Sequence, residues 1–294
     1  LQRLIFPVWY LTDGLISPRW KREMPMVATD KAFTGSIPEI YDRLLVPLIF
    51  EPYAIDLADR IKQFGPTRVL ETAAGTGVVT KAIASRLPAQ VRITATDLNE
   101  PMLARAKSGI TDPRIEWQQA DALALPFDDS RFDAVACRFG VMFFPDKVKG
   151  YAEARRVLKP GGRFFFNVWD RIEENDFANV VHQTLQQVFP NNPPAFLART
   201  PHGYHDVGRI RADLAQAGFT DIAIETIAHR SRAASPNDPA IAFCQGTPMR
   251  NEIESRGAPG LETATRQAAQ ALAHRFGNGP IEGRIRALVV TAVR

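Results

Sequence analysis

The stretch V-L-E-T-A-A-G-T-G, residues 69–77, decides the fold. It is entered through T-R-V-L-E-T, a short β-branched and apolar run bounded before by Gly65-Pro66, which reads as a buried strand ending at Glu71. The segment T-G-V-V-T-K-A-I-A-S-R-L follows at once, with Val79, Ile83 and Leu87 spaced to share one helix face, and Pro88 stops it. Small residues at Ala73, Gly75 and Gly77 let the backbone of the turn approach a ligand closely. The helix start just beyond offers unpaired N–H groups and a partial positive charge.

Downstream the alternation repeats. The run V-R-I-T-A-T predicts a second strand, and Asn99 with Pro101 marks a helix start, Asn99 being a good N-cap. R-I-E-W-Q-Q-A and F-D-A-V-A-C follow as strands. A helix from Asp146 is predicted to carry Val148, Tyr151, Ala152 and Leu158 on one side, and Lys159-Pro160-Gly161-Gly162 breaks it before the strand R-F-F-F-N-V-W. Strands joined by helices require crossover connections, hence a parallel, doubly wound α/β sheet. Helices are expected over 176–189 and 206–217, and strands over F-T-D-I-A-I-E-T-I-A and near the end over I-E-G-R-I-R-A-L-V-V-T-A-V. The roughly fifty residues between these last strands, 231–280, read as an inserted cap.

Two carboxylates share the pattern of the glycine turn. Asp97 closes the second strand, 20 residues after Gly77, where it can accept bonds from both hydroxyls of a ribose. Asp121 follows the third strand in Q-A-D-A-L-A-L-P-F, placed to accept from an adenine amino group.

Composition narrows the alternatives. The 294 residues carry 36 basic and 32 acidic side chains, a net charge of +4, without the concentrated basic stripe that holds nucleic acid. The cluster Arg19, Lys21, Arg22 is short and reads as solvated. Two cysteines are too few for a disulfide framework or a cysteine-rich zinc site, and a cytoplasmic setting is the default. No helical histidine pair suggests a metal, and none is expected. Arg3, Pro7, Asp13 and Pro18 interrupt the apolar opening, so it lacks the ~20 continuous residues of a membrane span. Residues 1–26 are read as an extension, with Met24 or Met26 the expected native start, and 27–294 as the functional domain.

With these residues in hand, a resemblance becomes specific. E-T-A-A-G-T-G resembles the E/D-x-G-x-G-x-G signature of class I S-adenosylmethionine (SAM)-dependent methyltransferases. D-L-N at 97–99 and A-D-A at 120–122 are similar to that family's second and third cofactor motifs, and R-V-L-K-P-G-G-R-F-F-F at 156–166 to its segment before strand five. The match covers residues 38–170 and is nearest the small-molecule subgroup that includes quinone-biosynthesis C-methyltransferases; Ala73 stands where the first glycine usually does. The resemblance implies a Rossmann-like, mostly parallel seven-stranded sheet with N-terminal helices, SAM as cofactor, and methyl transfer to a small apolar or aromatic acceptor. No nucleic-acid partner is implied, and a homodimer is compatible with it.

Carried over position by position, the resemblance implies that Glu71 orients the glycine loop or the methionine amino group. Ala73, Gly75, Thr76 and Gly77 would line methionine and ribose, and Asp97 would bind the ribose hydroxyls. Leu98 and Met102 would flank the adenine, with Asp121 and Ala122 at its amino edge. Cys137, Arg138 and Phe139 would border the sulfonium, and Tyr41 would close over the methionine end. Phe33, Met142, Phe143 and Trp169 are the expected acceptor pocket. For a general base, His182, His202, His205, His229 and Tyr204 stand unranked. Two other readings stay open: a catalytically silent SAM-fold binding protein, and a nicotinamide-dependent oxidoreductase, against which G-x-G-x-x-T at 75–80 counts. C-R-F-G at the end of the fourth strand is not the D/N-P-P-Y/F of base amino methylation, and N-P-P-A at 192–195 lies after a later helix.

Overall fold

A computed structural model describes residues 30, 33 and 35–294. The basic cluster near residue 20, the apolar opening and both start methionines lie outside the described residues. Seven strands form one sheet: β1 (Arg68–Glu71), β2 (Arg92–Asp97), β3 (Ile115–Gln119), β4 (Phe132–Arg138), β5 (Leu158–Trp169), β6 (Thr220–Ala233) and β7 (Ile281–Val293). Their order across the sheet is β3-β2-β1-β4-β5-β7-β6. β1 to β5 run parallel, and β7 lies antiparallel between β5 and β6. The sheet is therefore mostly parallel, as the alternation predicts. Connections from β1 wind to one side through β2 and β3 and to the other through β4 and β5, so the carboxyl ends of β1 and β4 diverge. A crevice opens at such a switch point.

Eleven α-helices are described: α1 (Ile37–Ile40), α2 (Glu51–Phe64), α3 (Val78–Arg86), α4 (Glu100–Gly109), α5 (Lys147–Val157), α6 (Asp176–Val188), α7 (Phe196–Arg199), α8 (Val207–Gln216), α9 (Asn237–Gln245), α10 (Met249–Ser255) and α11 (Gly260–Phe276). The start signals hold at α5 and α8, where Asp146 and Asp206 accept from the backbone N–H of Lys149 and Arg209. Asn99 departs from expectation. It sits at the α4 N-cap position, but its side chain makes no capping bond and turns to Asp97 instead. The predicted face of α5 is also corrected. Gly150, Tyr151, Ala154 and Val157 are buried, Ala152 is exposed, and Leu158 already belongs to β5. Lys159-Pro160-Gly161-Gly162 is not a separate breaker. It forms the start of β5, where the register with β4 jumps between Phe132 and Ala134 and Gly161 takes φ +76°.

Between α1 and α2 the chain from Tyr41 to Phe50 winds as a wide helix whose bonds span five residues, closed by Glu51 N–H on Val46 O. Pro47 supplies the reason, since it has no N–H to donate and its ring crowds the carbonyl four residues back. This segment turns Tyr41, Leu45, Ile49 and Phe50 toward the crevice. α2 is pinned to the far strands by the Tyr53 hydroxyl, which donates to Ile227 O and Ile285 O. α9, α10 and α11 lie between β6 and β7 in sequence; α9 and α11 pack on α6, α9 also packs on the wide helix, and α10 packs on α9, α11 and α7.

Candidate functional site

The loops leaving β1, β2, β3 and β4 converge on a cleft of about 780 Å³. The turn after β1 is strained where it meets the cleft. Ala73 takes φ +53°, a conformation costing an L-residue roughly 1–2 kcal/mol. Its methyl group abuts Gly140, where an added Cβ would lie 2.5 Å from it. Both residues must therefore be small, which explains why glycine and alanine occupy these positions. Phe139, at the end of β4, is also left-handed at φ +50° and stacks on Trp169 with ring centroids 3.9 Å apart. Backbone strain of this kind collects at binding sites.

Three charged groups are buried at this sheet edge. Asp97 is 7% exposed; its Oδ2 accepts from Gly75 N–H and its Oδ1 from Asn99 N–H, both at 2.8 Å. Burial still raises its pKa against those bonds. Glu71 is 1% exposed and accepts from the Thr80 hydroxyl at 2.5 Å; burial pushes its carboxyl up to about 7, with Thr80 and Arg138 pulling the other way. Arg138 lies 4.3 Å above the Phe50 ring, and its Nε and Nη1 are buried with no hydrogen-bond partner among the described residues. Buried donors of this kind are costly, so they point to an acceptor supplied from elsewhere. Burial also raises the pKa of the Tyr41 phenol, which the adjacent guanidinium partly offsets.

The raised Glu71 pKa has a measurable consequence. Between its ordinary 4.5 and about 7 the folded chain holds a proton that the unfolded chain has released. Stability is thus fullest below the unfolded value, falls as pH rises through that window, and is level above it. Urea titrations at pH 5 and pH 7.5 should differ by roughly 2–3 kcal/mol from this group. Glu71→Gln should remove that difference, and an unchanged pH slope in the variant would contradict it.

A second cavity of about 500 Å³ adjoins the first and shares Phe33, Tyr41, Phe139 and Phe143 with it. Its other walls are Leu45, Ile49, Phe50, Met142, Trp169, Phe196, Leu197, Pro201, His202, Phe243 and Thr247. It is apolar and aromatic, and α9 with the turn after it contributes Phe243 and Thr247.

Of the residues expected to hold a nucleoside, Tyr41, Ala73, Gly75, Asp97, Leu98, Met102, Asp121, Ala122, Arg138 and Phe139 line the first cleft. Four others do not line it. Glu71 lies behind the turn against Thr80. Thr76 and Gly77 face the opposite side, toward α2 and α4. Cys137 is sealed behind Gly140, and burial pushes its thiol up to about 12. Phe33, Met142, Phe143 and Trp169 all line the second cavity. Asp121 is exposed and its Oδ1 accepts from Leu123 N–H. Sequence reasoning missed Asn99, Ala120, Leu123, Gly140 and Phe144 in the cleft. The first three adjoin motif residues, so a wider reading of the same loops would have found them.

A family model described as a methyltransferase domain matches residues 69–162. The ubiquinone/menaquinone biosynthesis C-methyltransferase of a Geobacter species is 31% identical over 209 residues, covering 65% of this chain and 88% of that protein. The chain belongs to the class I SAM-dependent methyltransferase family. The demethylmenaquinone methyltransferase of Deinococcus radiodurans is 40% identical over 127 residues, 42% of this chain, which spans about half (52%) of that relative's length. A solved Bacillus halodurans protein shares the fold with a TM-score of 0.52 at 22% identity, covering 81% of this chain and 98% of that one. As in other members of the methyltransferase family, the cofactor is SAM. No metal-binding group of acidic, histidine and cysteine residues occurs among the described residues, and no described helix is long and apolar enough to cross a membrane.

Proposed function

We propose that this methyltransferase binds SAM in the first cleft and transfers its methyl group to a small aromatic acceptor of hydroquinone type in the second. The observation that carries this reading is the shared aromatic wall of Phe33, Tyr41, Phe139 and Phe143, which puts a polar cleft directly against an apolar one. The names of the Geobacter and Deinococcus relatives support a quinone-related acceptor.

The residues fit the cofactor by charge. SAM carries an ammonium, a sulfonium and a carboxylate, and the site offers two buried carboxyls, Glu71 and Asp97, against one guanidinium, Arg138. The unpartnered N–H groups of Arg138 suit the methionine carboxylate, Asp97 the ribose hydroxyls, and Leu98 with Met102 the adenine faces. Asp121 and Ala122 suit its amino edge, while Glu71 acts from behind the turn. When bound, SAM supplies an activated methyl group with a neutral leaving group. The protein's own task is alignment and exclusion of water, and orientation alone is worth up to ~7–11 kcal/mol of barrier. Two free, buried cysteines support a reducing, cytoplasmic site of action. The absence of a basic stripe supports a small-molecule acceptor over nucleic acid.

Arg138→Met separates binding from folding. It should weaken S-adenosylhomocysteine binding about 30–100-fold, the worth of a charge-assisted pair of roughly 2–3 kcal/mol. Thermal stability should change far less, because the buried Nε–H and Nη1–H groups that the substitution removes have no partner before the ligand binds. Calorimetry and a thermal melt of the same variant check both halves. The acceptor is tested by offering methyl-labelled SAM with 1,4-naphthohydroquinone or with a polar amine. Label is expected in the ring-methylated naphthohydroquinone. Cofactor uptake with label in neither would mark a silent binding protein.

A further inference from the structure

Three side chains with polar groups, Tyr41, His202 and Thr247, interrupt the otherwise apolar second cavity alongside Trp169. The Thr247 hydroxyl is already used, donating to Phe243 O at 2.7 Å and accepting from Met249 N–H. Tyr41 stands beside Arg138 on the cofactor side. His202 differs from both. It lies in the loop between α7 and α8, 5% exposed, held by its own N–H on Leu197 O and with its ring 6.1 Å from that of Trp169. Its Nδ1 lies 2.7 Å from the carbonyl oxygen of Asp170. A carbonyl can only accept, so Nδ1 carries the proton and Nε2 keeps a lone pair. Nε2 has no hydrogen bond to any described residue.

We propose that Nε2 of His202 is the proton acceptor for methylation of a hydroxylated aromatic ring in this cavity, an inference that rests on the acceptor reading above. As the ring carbon's electron pair forms the new C–CH3 bond, the S–CH3 bond breaks and its pair stays on sulfur, leaving a neutral thioether. The hydroxyl O–H proton passes to Nε2, and the ring oxygen becomes a carbonyl. The ring C–H proton at the methylated carbon then moves to that oxygen, restoring the aromatic hydroxyl, and the imidazolium returns its proton to solvent. Positive charge thus moves from sulfur to imidazole, and the buried site keeps its net charge throughout.

The groups facing the imidazole fit this role. Burial holds the free imidazole neutral, down to about 4, with the neighbouring His205 and His182 acting in the same direction, so the Nε2 lone pair is available at neutral pH. The Asp170 carboxylate, itself paired with Arg286 at 2.7 Å, favours the imidazolium once formed. The other candidate bases are placed elsewhere. His182 meets Gln186 on α6, His205 meets His202 O, and His229 packs on Tyr53. Tyr204 donates to Asp213.

The test combines spectroscopy with kinetics. In histidine-labelled protein loaded with S-adenosylhomocysteine, nitrogen NMR should find His202 protonated at Nδ1 only. Adding 1,4-naphthohydroquinone should shift its Nε2 resonance toward the hydrogen-bonded range. His202→Asn retains an N–H donor but has no basic nitrogen. It should lower kcat about a hundredfold with cofactor affinity unchanged. In His202→Ala, added imidazole should restore part of the rate. A proton found on Nε2, an Nε2 signal indifferent to the hydroquinone, or full kcat in His202→Asn would each overturn the proposal. If wild-type protein methylates no hydroquinone, the acceptor reading fails, and the NMR result still decides the fate of His202.

Discussion

Asp97→Ala is expected to cost two to three orders of magnitude in S-adenosylhomocysteine affinity, with a much smaller loss of folded stability. Each hydrogen bond to a charged acceptor is worth roughly 1.5–3 kcal/mol, and the substitution removes the carboxylate that would receive two ribose hydroxyls. Asp97 also fixes the glycine turn through Gly75 N–H, so its loss loosens the floor of the cleft. Stability changes less because the buried carboxylate is itself disfavoured by burial, which offsets part of the cost of leaving Gly75 N–H and Asn99 N–H without their acceptor. Asp97→Asn keeps an oxygen for Gly75 and loses the charge, so its affinity should fall between the two. Calorimetry and urea denaturation on both variants check this; wild-type affinity in Asp97→Ala would contradict it.

The largest loss of stability is expected at Arg199, at the end of α7. Its guanidinium bonds Asp30 at 2.5 Å and also reaches the carboxylate of Glu252 on α10. All three side chains are nearly buried, with 8%, 1% and 10% exposed. Thr200 Oγ1 donates to Asp30, and Ala195 N–H to Glu252. Arg199→Ala would remove the buried guanidinium that bridges Asp30 and Glu252, and breaking a buried ion pair from one side costs about 3–5 kcal/mol. The consequence reaches the site. Asp30 precedes Phe33, which closes both cavities, while Phe196 and Leu197 on α7 wall the second. A urea midpoint close to wild type would show the cluster to be dispensable. Loss of stability with intact cofactor affinity would place its effect on the acceptor side.

The sheet edge that holds the cofactor was legible because its signals are local. The strand ending at Glu71, the small residues of the turn and the acid closing β2 each sit within a few positions of the backbone feature they serve. Ala73 shows how far such a signal reaches: its deviation from the family pattern is visible in sequence, while its positive φ and its contact with Gly140 are not. The acceptor cavity was legible only in part. Met142, Phe143 and Trp169 follow from their closeness to β4 and β5, whereas Phe33 comes from the segment before α1. Phe196, His202 and Phe243 arrive through α7, the following loop and α9, and no periodicity marks which face those short elements present. His202 could be named beforehand among five equal bases, but only packing against Asp170 O and Trp169 distinguishes it. The face of α5 departs from expectation because Leu158 keeps the seven-residue helical spacing from Tyr151 although β5 begins there.

The most direct test is a crystal structure of the protein with S-adenosylhomocysteine and 1,4-naphthohydroquinone bound together. The predicted result has the ribose on Asp97 and the methionine carboxylate on Arg138. The sulfur should stand at the wall of Phe33, Tyr41, Phe139 and Phe143, with the acceptor ring beyond it and a hydroxyl on His202. A nucleoside bound away from β1 and β2, or an acceptor ring outside the second cavity, would contradict it.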